Sequence, residues 1–312
     1  MISKDSRKVV GEYVFLSKYS QTHNGVKETW DEAVNRVMTM HWNRYKEIVN
    51  EADMPEFERL FGFAEKLYHQ QHILGAQRAL QYGGELMLEK HARFYNCSST
   101  YIDRVEVFEE IMYLLLCGAG TGYSVQHIHT EQLPIPKGFN PKLEKKIFVI
   151  PDTIEGWAKA AGELIGAYYY GRAEVLFDYS QIRPKGAYIR GGFRAPGPEP
   201  LREALDKVRS LLCKVQKRKL RPFELHYIIC VLANSVVTGG VRRSAMISIF
   251  DADDVEMAGC KVGAWISTHP ELCRSNNSAA ILPNTPKETF DMIYESVSYT
   301  HLRAHETLRH LV

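Results

Sequence analysis

The sequence predicts an α/β protein with a helical front section. Two observations carry the prediction. Before residue 76, two stretches, about 30–49 and 55–71, read as helices and nothing reads as a strand. From about Ala76, helix-length patterns alternate with short apolar runs of strand length, the texture of an α/β sheet or barrel. A third feature, the stretch from Phe94 to Gln126, organises the rest, because it reads as strand, helix, glycine turn and strand in succession.

The bulk composition narrows the class. The chain has 312 residues, enough for one large domain or two ordinary ones. With 45% hydrophobic and 24% charged residues it reads as a soluble globular protein. A formal net charge of +2 gives no reason to expect a dedicated nucleic-acid or membrane binder. No apolar run approaches the roughly 18 residues of a membrane span, and the polar start from Met1 to Lys8 lacks the apolar core of a signal peptide. Six scattered cysteines with no Cys-x-x-Cys pair argue against a zinc site and a disulfide scaffold, so a reducing cytoplasm is expected.

In chain order, residues 1–28 are polar apart from the patch Val14-Phe15-Leu16. Thr29 and Asp31 precede a helix from Trp30 to about Val49, with Ala33, Val34, Val37 and Met38 on one face, and a second helix covers about Pro55 to Gln71. Residues 1–75 are therefore expected to form a helical region. Cys97 lies in a short run expected to be a strand, near its end. Asp103 with Glu106 spells a capping box for the helix that follows, in which Val105, Phe108, Met112 and Leu115 recur at helical spacing. That helix stops at Gly118, and Gly118, Gly120 and Gly122 are expected to turn the chain and let backbone approach a ligand.

Lys146 to Pro151 reads as a buried strand. Asp152 and Thr153 are set to cap a helix to about Tyr170, and Glu174 to Asp178 is the next strand. The loop from Tyr179 to Pro200, rich in glycine and proline and holding Arg183 and Lys185, is long enough to be functional. An amphipathic basic helix follows over 201–217, then a nearly all-apolar one over 223–237. Next come Thr238-Gly-Gly-Val-Arg242-Arg243, a strand over 244–250, another from Asn276, and a helix opened by Thr285-Pro286. From about Val297 the α/β texture ends. Residues 297–312 read as a non-native tail and are set aside.

Each chemical feature has a plain structural reading when taken alone. A single cysteine such as Cys97 packs as a small apolar residue, and a glycine turn commonly just ends a helix. The turn is neither a Walker loop nor a dinucleotide fingerprint, since no Gly-Lys-Ser/Thr follows and it ends a helix instead of opening one. Ser98 can bond its own backbone, Arg183 and Lys185 can be solvated loop charges, and Arg242 and Arg243 follow a helix end, where positive charge is stabilising.

The combination is more specific. Asn96-Cys97-Ser98, a buried helix and Cys117-Gly-Ala-Gly-Thr-Gly-Tyr-Ser-Val-Gln126 are followed by Ile150-Pro-Asp-Thr-Ile-Glu-Gly-Trp157. Then come Phe177-Asp-Tyr-Ser-Gln-Ile-Arg-Pro-Lys-Gly-Ala187, Gly197-Pro-Glu-Pro-Leu201, Thr238-Gly-Gly-Val-Arg-Arg-Ser244, and Trp265 with Asn276-Asn-Ser-Ala279. In this order, over about residues 10–295, they resemble the N-terminal part of the adenosylcobalamin-dependent (class II) ribonucleotide reductases, within them the ribonucleoside-triphosphate reductases. The resemblance implies a helical region, 1–75, and the first half of a ten-stranded α/β barrel, 76–296. It implies adenosylcobalamin as cofactor, a ribonucleoside triphosphate as substrate, a deoxynucleotide as allosteric effector, thioredoxin as reductant, and a place in the cytoplasm.

It also implies roles. Cys97 matches the first cysteine of the redox-active pair. Asn96, Ser98, Gly118, Gly120, Thr121 and Gly122 match the substrate side. Arg183, Lys185, Arg242 and Arg243 are candidates for effector or phosphate binding, and no protein metal ligand is expected. The family's Asn-x-Cys-x-Glu motif for the radical cysteine does not occur in this sequence, nor do the partner of Cys97 and the shuttle pair. The resemblance therefore implies a fragment that is inactive alone. Other readings are a diphosphate-using reductase of the same class, a glycyl-radical enzyme on the same barrel, and a nucleotide-binding regulatory module without chemistry.

Overall fold

A computed structural model describes residues 4–23, 25–189, 193–215, 218–238 and 245–298. Arg242, Arg243 and the tail from 299 onward lie outside the described residues. The chain falls into two compact units: Met1–Asn96 with Ile189–Phe193, and Cys97–Tyr188 with Arg194–Val312.

The first unit is helical: α1 (Lys4–Lys18), α2 (Trp30–Tyr45), α3 (Met54–His69), α4 (Gln77–Tyr82) and α5 (Glu85–Glu89), with a short hairpin, Thr22–His23 against Val26–Lys27. The start of α2 is fixed by a capping box, in which Thr29 and Glu32 each bond the other's backbone N–H. Ala33, Val34, Val37 and Met38 form one buried face, as their spacing predicts, against Tyr68, Ala79, Leu80 and Met87. Residues 76–96, grouped with the barrel half in the sequence reading, pack into this first core. Arg36 holds them there: it pairs with Glu28 at 2.5 Å and donates to the carbonyls of Leu80 and Gly83 at 2.7 and 2.8 Å. Helix α1 was not foreseen, because Val9, Val10, Tyr13 and Leu16 on it are exposed and mark no buried stripe.

The second unit is α/β. It contains β1 (Cys97–Tyr101), α6 (Val107–Leu116), β2 (Gly120–Ser124), β3 (Lys146–Val149), α7 (Ile154–Tyr170) and β4 (Val175–Asp178). After these come α8 (Glu199–Lys214), α9 (Pro222–Thr238), β5 (Met246–Asp251), β6 (Ser275–Ala280) and α10 (Lys287–Ser298). One sheet has four strands in the order β6-β5-β2-β1, all parallel. Strands β3 and β4 form a separate parallel pair. Helix α6 packs on β2, α7 and α9, and its Phe108, Ile111, Met112 and Leu115 are fully buried, as a nearly all-apolar helix must be.

Several local expectations are corrected, among them the burial of the strand from Lys146, in which Lys146, Ile147 and Val149 are exposed. Cys97 begins its strand instead of ending it, because the ladder is made by the polar run Cys97-Ser-Ser-Thr-Tyr101 and not by the residues before it. The Asp103–Glu106 capping box does not form: α6 starts at Val107 with no side-chain cap, and Asp103 pairs with Arg104 at 2.7 Å. Only Gly118 turns the chain, at φ +78°, while Gly120 and Gly122 are ordinary members of β2. Thr153 caps α7 through the Gly156 N–H as expected, but Asp152 faces Arg183.

Candidate functional site

Parallel pairing fixes which side chains share a face. Cys97 pairs with Gly120, Ser99 with Gly122 and Tyr101 with Ser124; Gly122 pairs with Ile247 and Ser124 with Ile249; these pair with Asn276 and Ser278. With period-2 alternation, this set lies on one face of the sheet. Cys97, Ser99, Tyr101, Ile247 and Ile249 are all exposed, so that face is open among the described residues. The other face carries Thr121, Tyr123, Met246, Ser248 and Phe250, all buried under the helices.

The predicted substrate residues therefore divide. Cys97, Gly120 and Gly122 come together on the open face: an accessible thiol beside a strip of bare backbone. A Cβ added at Gly122 would stand 3.3 Å from Ile247 Cγ2, so the strip is tight as well as bare. Ser98 and Thr121 point to the covered face. Their hydroxyl oxygens are 3.2 Å apart, and Ser98 Oγ also donates to the Gly120 carbonyl at 3.3 Å. Gly118 stays at the turn. Asn96 ends the first unit, where its side-chain oxygen accepts from Arg78 Nε at 2.8 Å. In the loop, Arg183 is paired with Asp152 at 2.5 Å. Lys185 lines a cavity of about 360 Å³ with Lys207, Asn234, Ser235, Glu199 and Glu271.

Two groups passed over in the sequence reading stand out. Under the sheet, Tyr123 Oη lies 2.7 Å from His226 Nδ1, and His226 Nε2 lies 3.6 Å from Cys230 Sγ. Burial pushes His226 down to about 3 and the Cys230 thiol up to about 12, and raises Tyr123 well above the usual tyrosine range. All three are neutral at pH 7, so Tyr123 and His226 share one neutral hydrogen bond whose donor is set by the imidazole tautomer. The signal was available: Glu224 and His226 interrupt the otherwise apolar run from Phe223 to Ala233. Glu224 is held down to about 2, burial opposing but outweighed by hydrogen bonds from Arg218 and Arg221 at the start of α9.

At the C-terminal ends of the strands, Tyr101 stacks on His129 with ring centroids 4.3 Å apart. His129 Nδ1 lies 2.8 Å from Ser124 Oγ, and Ser124 also meets Gln126. Asp251 accepts from Gln126 Nε2 at 2.8 Å and from the His127 N–H at 2.7 Å. Nothing in the isolated sequence marked Tyr101 or His129.

A parallel sheet with helices on one face and a thiol beside bare glycine backbone on the other defines an α/β fold with one open, accessible face. Comparison with known proteins narrows that class. Residues 136–212, which hold the separate β3–β4 pair, match the family described as B12-dependent ribonucleotide reductase, insertion domain. The adenosylcobalamin-dependent ribonucleoside-triphosphate reductase of Euglena gracilis is 27% identical over 277 residues, covering 81% of this chain and 36% of the relative. The enzyme of that name from Lactobacillus leichmannii is 26% identical over 319 residues, covering 82% and 42%. That of Lacticaseibacillus paracasei is 35% identical over 150 residues, covering 46% and 20%. A crystal structure of a B12-dependent (class II) ribonucleotide reductase superposes with a TM-score of 0.69 at 21% identity, over 86% of this chain and 45% of the other. The chain is similar to the class II ribonucleotide reductases, and spans about 36–42% of the length of the relatives that match most of it. Among the described residues no helix is long and apolar enough to cross a membrane.

Proposed function

We propose that this chain is the N-terminal part of an adenosylcobalamin-dependent ribonucleoside-triphosphate reductase, and that Cys97 is one of its two reducing cysteines. The observation that carries the reading is the placement of the Cys97 thiol on the open face, beside Gly120 and Gly122, where a ribose can lie against backbone. Reduction at the 2′ carbon replaces C–OH by C–H. The 2′-hydroxyl leaves as water, two thiols supply two electrons and two hydrogens, and they end as one disulfide. Cys97 supplies one of those thiols. The second, and the cysteine that carries the radical, belong to parts of the enzyme outside this sequence, as does the second half of the ten-stranded barrel that covers the open face. When bound, the cobalamin supplies the radical. The cofactor carries an adenosyl group, and the open face offers that group the exposed ring of Tyr101, backed by the half-buried His129.

Ser98 and Thr121 support the site from below by fixing β1 against β2. Lys185, at its cavity, is the better placed of the two loop cations for a deoxynucleotide effector, since the charge of Arg183 is already matched by Asp152. Thioredoxin re-reduces the disulfide in this reading.

Alkylation of Cys97, followed by peptide mass spectrometry, tests the proposal on this chain. Saturating ribonucleoside triphosphate is expected to slow modification of Cys97 severalfold, and ribonucleoside diphosphate to do so less. Modification of Cys97 at the same rate with and without nucleotide overturns the substrate reading. With adenosylcobalamin, a dithiol and all four nucleoside triphosphates, the chain alone is expected to form no deoxynucleotide.

A further inference from the structure

The open face has a second feature that the reduction chemistry does not use. Tyr101 is 54% exposed, yet it is not loose. One side of its ring rests on His129; His129 is set by Ser124; Ser124 is set by Gln126; and Gln126, with the His127 amide, is clasped by Asp251 at the end of β5. Three side chains, Ser124, Gln126 and Asp251, and the backbone amides of Gln126 and His127 thus orient one ring pair, in which Tyr101 is exposed and His129 half-buried. An exposed tyrosine by itself calls for no explanation, but a pair held this firmly is preorganised for a planar partner. It also stands at the C-terminal ends of three adjacent parallel strands, where α/β sheets take their ligands.

Its position relative to Cys97 separates it from the reducing thiol. Both residues are on β1 and on the same face, four residues apart, so their Cα atoms lie about 13 Å apart along the strand. Between them on β1 this face carries only the small side chain of Ser99, and its neighbour on β2, Gly122, carries none. That spacing leaves room for a ribose at Cys97 and a distinct planar ring at Tyr101.

We infer that Tyr101 and His129 form a shelf for a purine nucleoside, and, resting on the function proposed above, that its occupant is the adenosyl end of the cofactor and not the base of the substrate. The exposed ring face provides stacking. His129 Nε2 provides one directional contact, as donor or acceptor according to which way the Ser124 hydroxyl points. Adenine matches both, since its edge carries an amino donor beside ring-nitrogen acceptors. The remaining open-face side chains at this level, Ile249 and Ser278, are neutral, which suits an uncharged nucleoside better than a phosphate chain.

The test uses 5′-deoxyadenosine as probe, read by equilibrium dialysis and by the His129 ring signals in NMR, assigned through a His129→Gln variant. The expected result is saturable binding that shifts the His129 signals. Tyr101→Ala should weaken binding about tenfold or more, the range seen when a base loses an aromatic stacking partner, while Tyr101→Phe should stay within about twofold. CTP should protect Cys97 without displacing 5′-deoxyadenosine. An unshifted His129, or equal affinity in Tyr101→Ala, overturns the shelf. Displacement by CTP overturns the assignment to the cofactor, because one nucleotide then covers both places. Uridine binding as tightly as 5′-deoxyadenosine overturns the purine preference. Binding at His129 without protection of Cys97 by any nucleoside triphosphate keeps the shelf and removes the substrate reading, so the two proposals fail separately.

Discussion

The two faces of the four-stranded sheet treat reactive side chains in opposite ways. On the covered side, Cys230, His226 and Tyr123 are fully enclosed, and enclosure in low dielectric holds each in its neutral form. On the open side, Cys97 begins an edge strand with its thiol exposed, next to backbone stripped of side chains. The same residue type is structural on one face and available for chemistry on the other. What separates them is strand alternation and the helices that cover one side, not local sequence.

The largest effect that sharpens this contrast is on turnover. In the full-length reductase proposed above, Cys97→Ser is expected to abolish multiple turnover while leaving the fold and radical formation in place, because a hydroxyl of similar size cannot give up the reducing equivalent or form a disulfide. Cys230→Ser is expected to leave turnover intact and to cost on the order of 1 kcal/mol of stability. Deoxynucleotide formed per enzyme, alongside cobalamin homolysis by electron paramagnetic resonance, separates the two. Normal multiple turnover in Cys97→Ser would erase the distinction between the faces. In the native fold at pH 8, iodoacetamide should modify Cys97 and spare Cys230, whose thiol is pushed up to about 12.

A smaller effect comes from the covered face and appears in the pH dependence of stability. His226 is pushed from its ordinary value near 6.5 down to about 3, so between these values the unfolded chain binds a proton that the folded chain does not. Stability from this group is complete above about pH 6.5 and is lost as the pH falls toward 3. At pH 5.5, one unit below the unfolded value, the loss amounts to about 1.4 kcal/mol. Glu224, held down to about 2, loses its contribution only below about pH 4.5, so the two windows are separable. Urea unfolding at pH 7 and 5.5 is the measurement. The paired variant Tyr123→Phe/His226→Leu, which removes both polar groups together, should lose that part of the slope; an unchanged slope means His226 is protonated in the fold.

How much of this was legible in the sequence depends on the kind of signal each residue gives. Helix α6 could be read because its apolar residues recur at helical spacing, and Gly118 because a helix end needs a positive φ that glycine adopts without cost. The faces of β1 could not be read, since Cys-Ser-Ser-Thr-Tyr has no apolar–polar alternation to say which side is buried. That is why Cys97 and Ser98, neighbours in the chain and both expected at the substrate, stand on opposite faces. The Asp103–Glu106 pattern predicted a cap that a competing partner, Arg104, takes away. The pairing of Tyr101 with His129, and of Tyr123 with His226 more than 100 residues later, is set by topology, and no local pattern encodes it.

The smallest effect tests whether the bare strip on the open face is needed for binding or only for packing. A methyl at Gly122 meets Ile247 Cγ2 at 3.3 Å, a distance at which the neighbour must give by a few tenths of an ångström. Gly122→Ala is therefore expected to cost about 1 kcal/mol or less in stability, since Ile247 is itself exposed and free to move. Ile247→Ala removes the crowding methyl, and adding it to Gly122→Ala should restore that stability. Ile247→Val does not serve, because valine keeps a methyl in the Cγ2 place. Nucleotide affinity, measured through protection of Cys97 from alkylation, should behave differently. If a ribose lies against the backbone of β2, the added methyl stays in its way whether or not Ile247 has been trimmed, and affinity should remain severalfold low in the double variant. Recovery of affinity together with stability would mean that the methyl acts only through Ile247, and that the glycine strip is a packing solution and not the floor of a binding site.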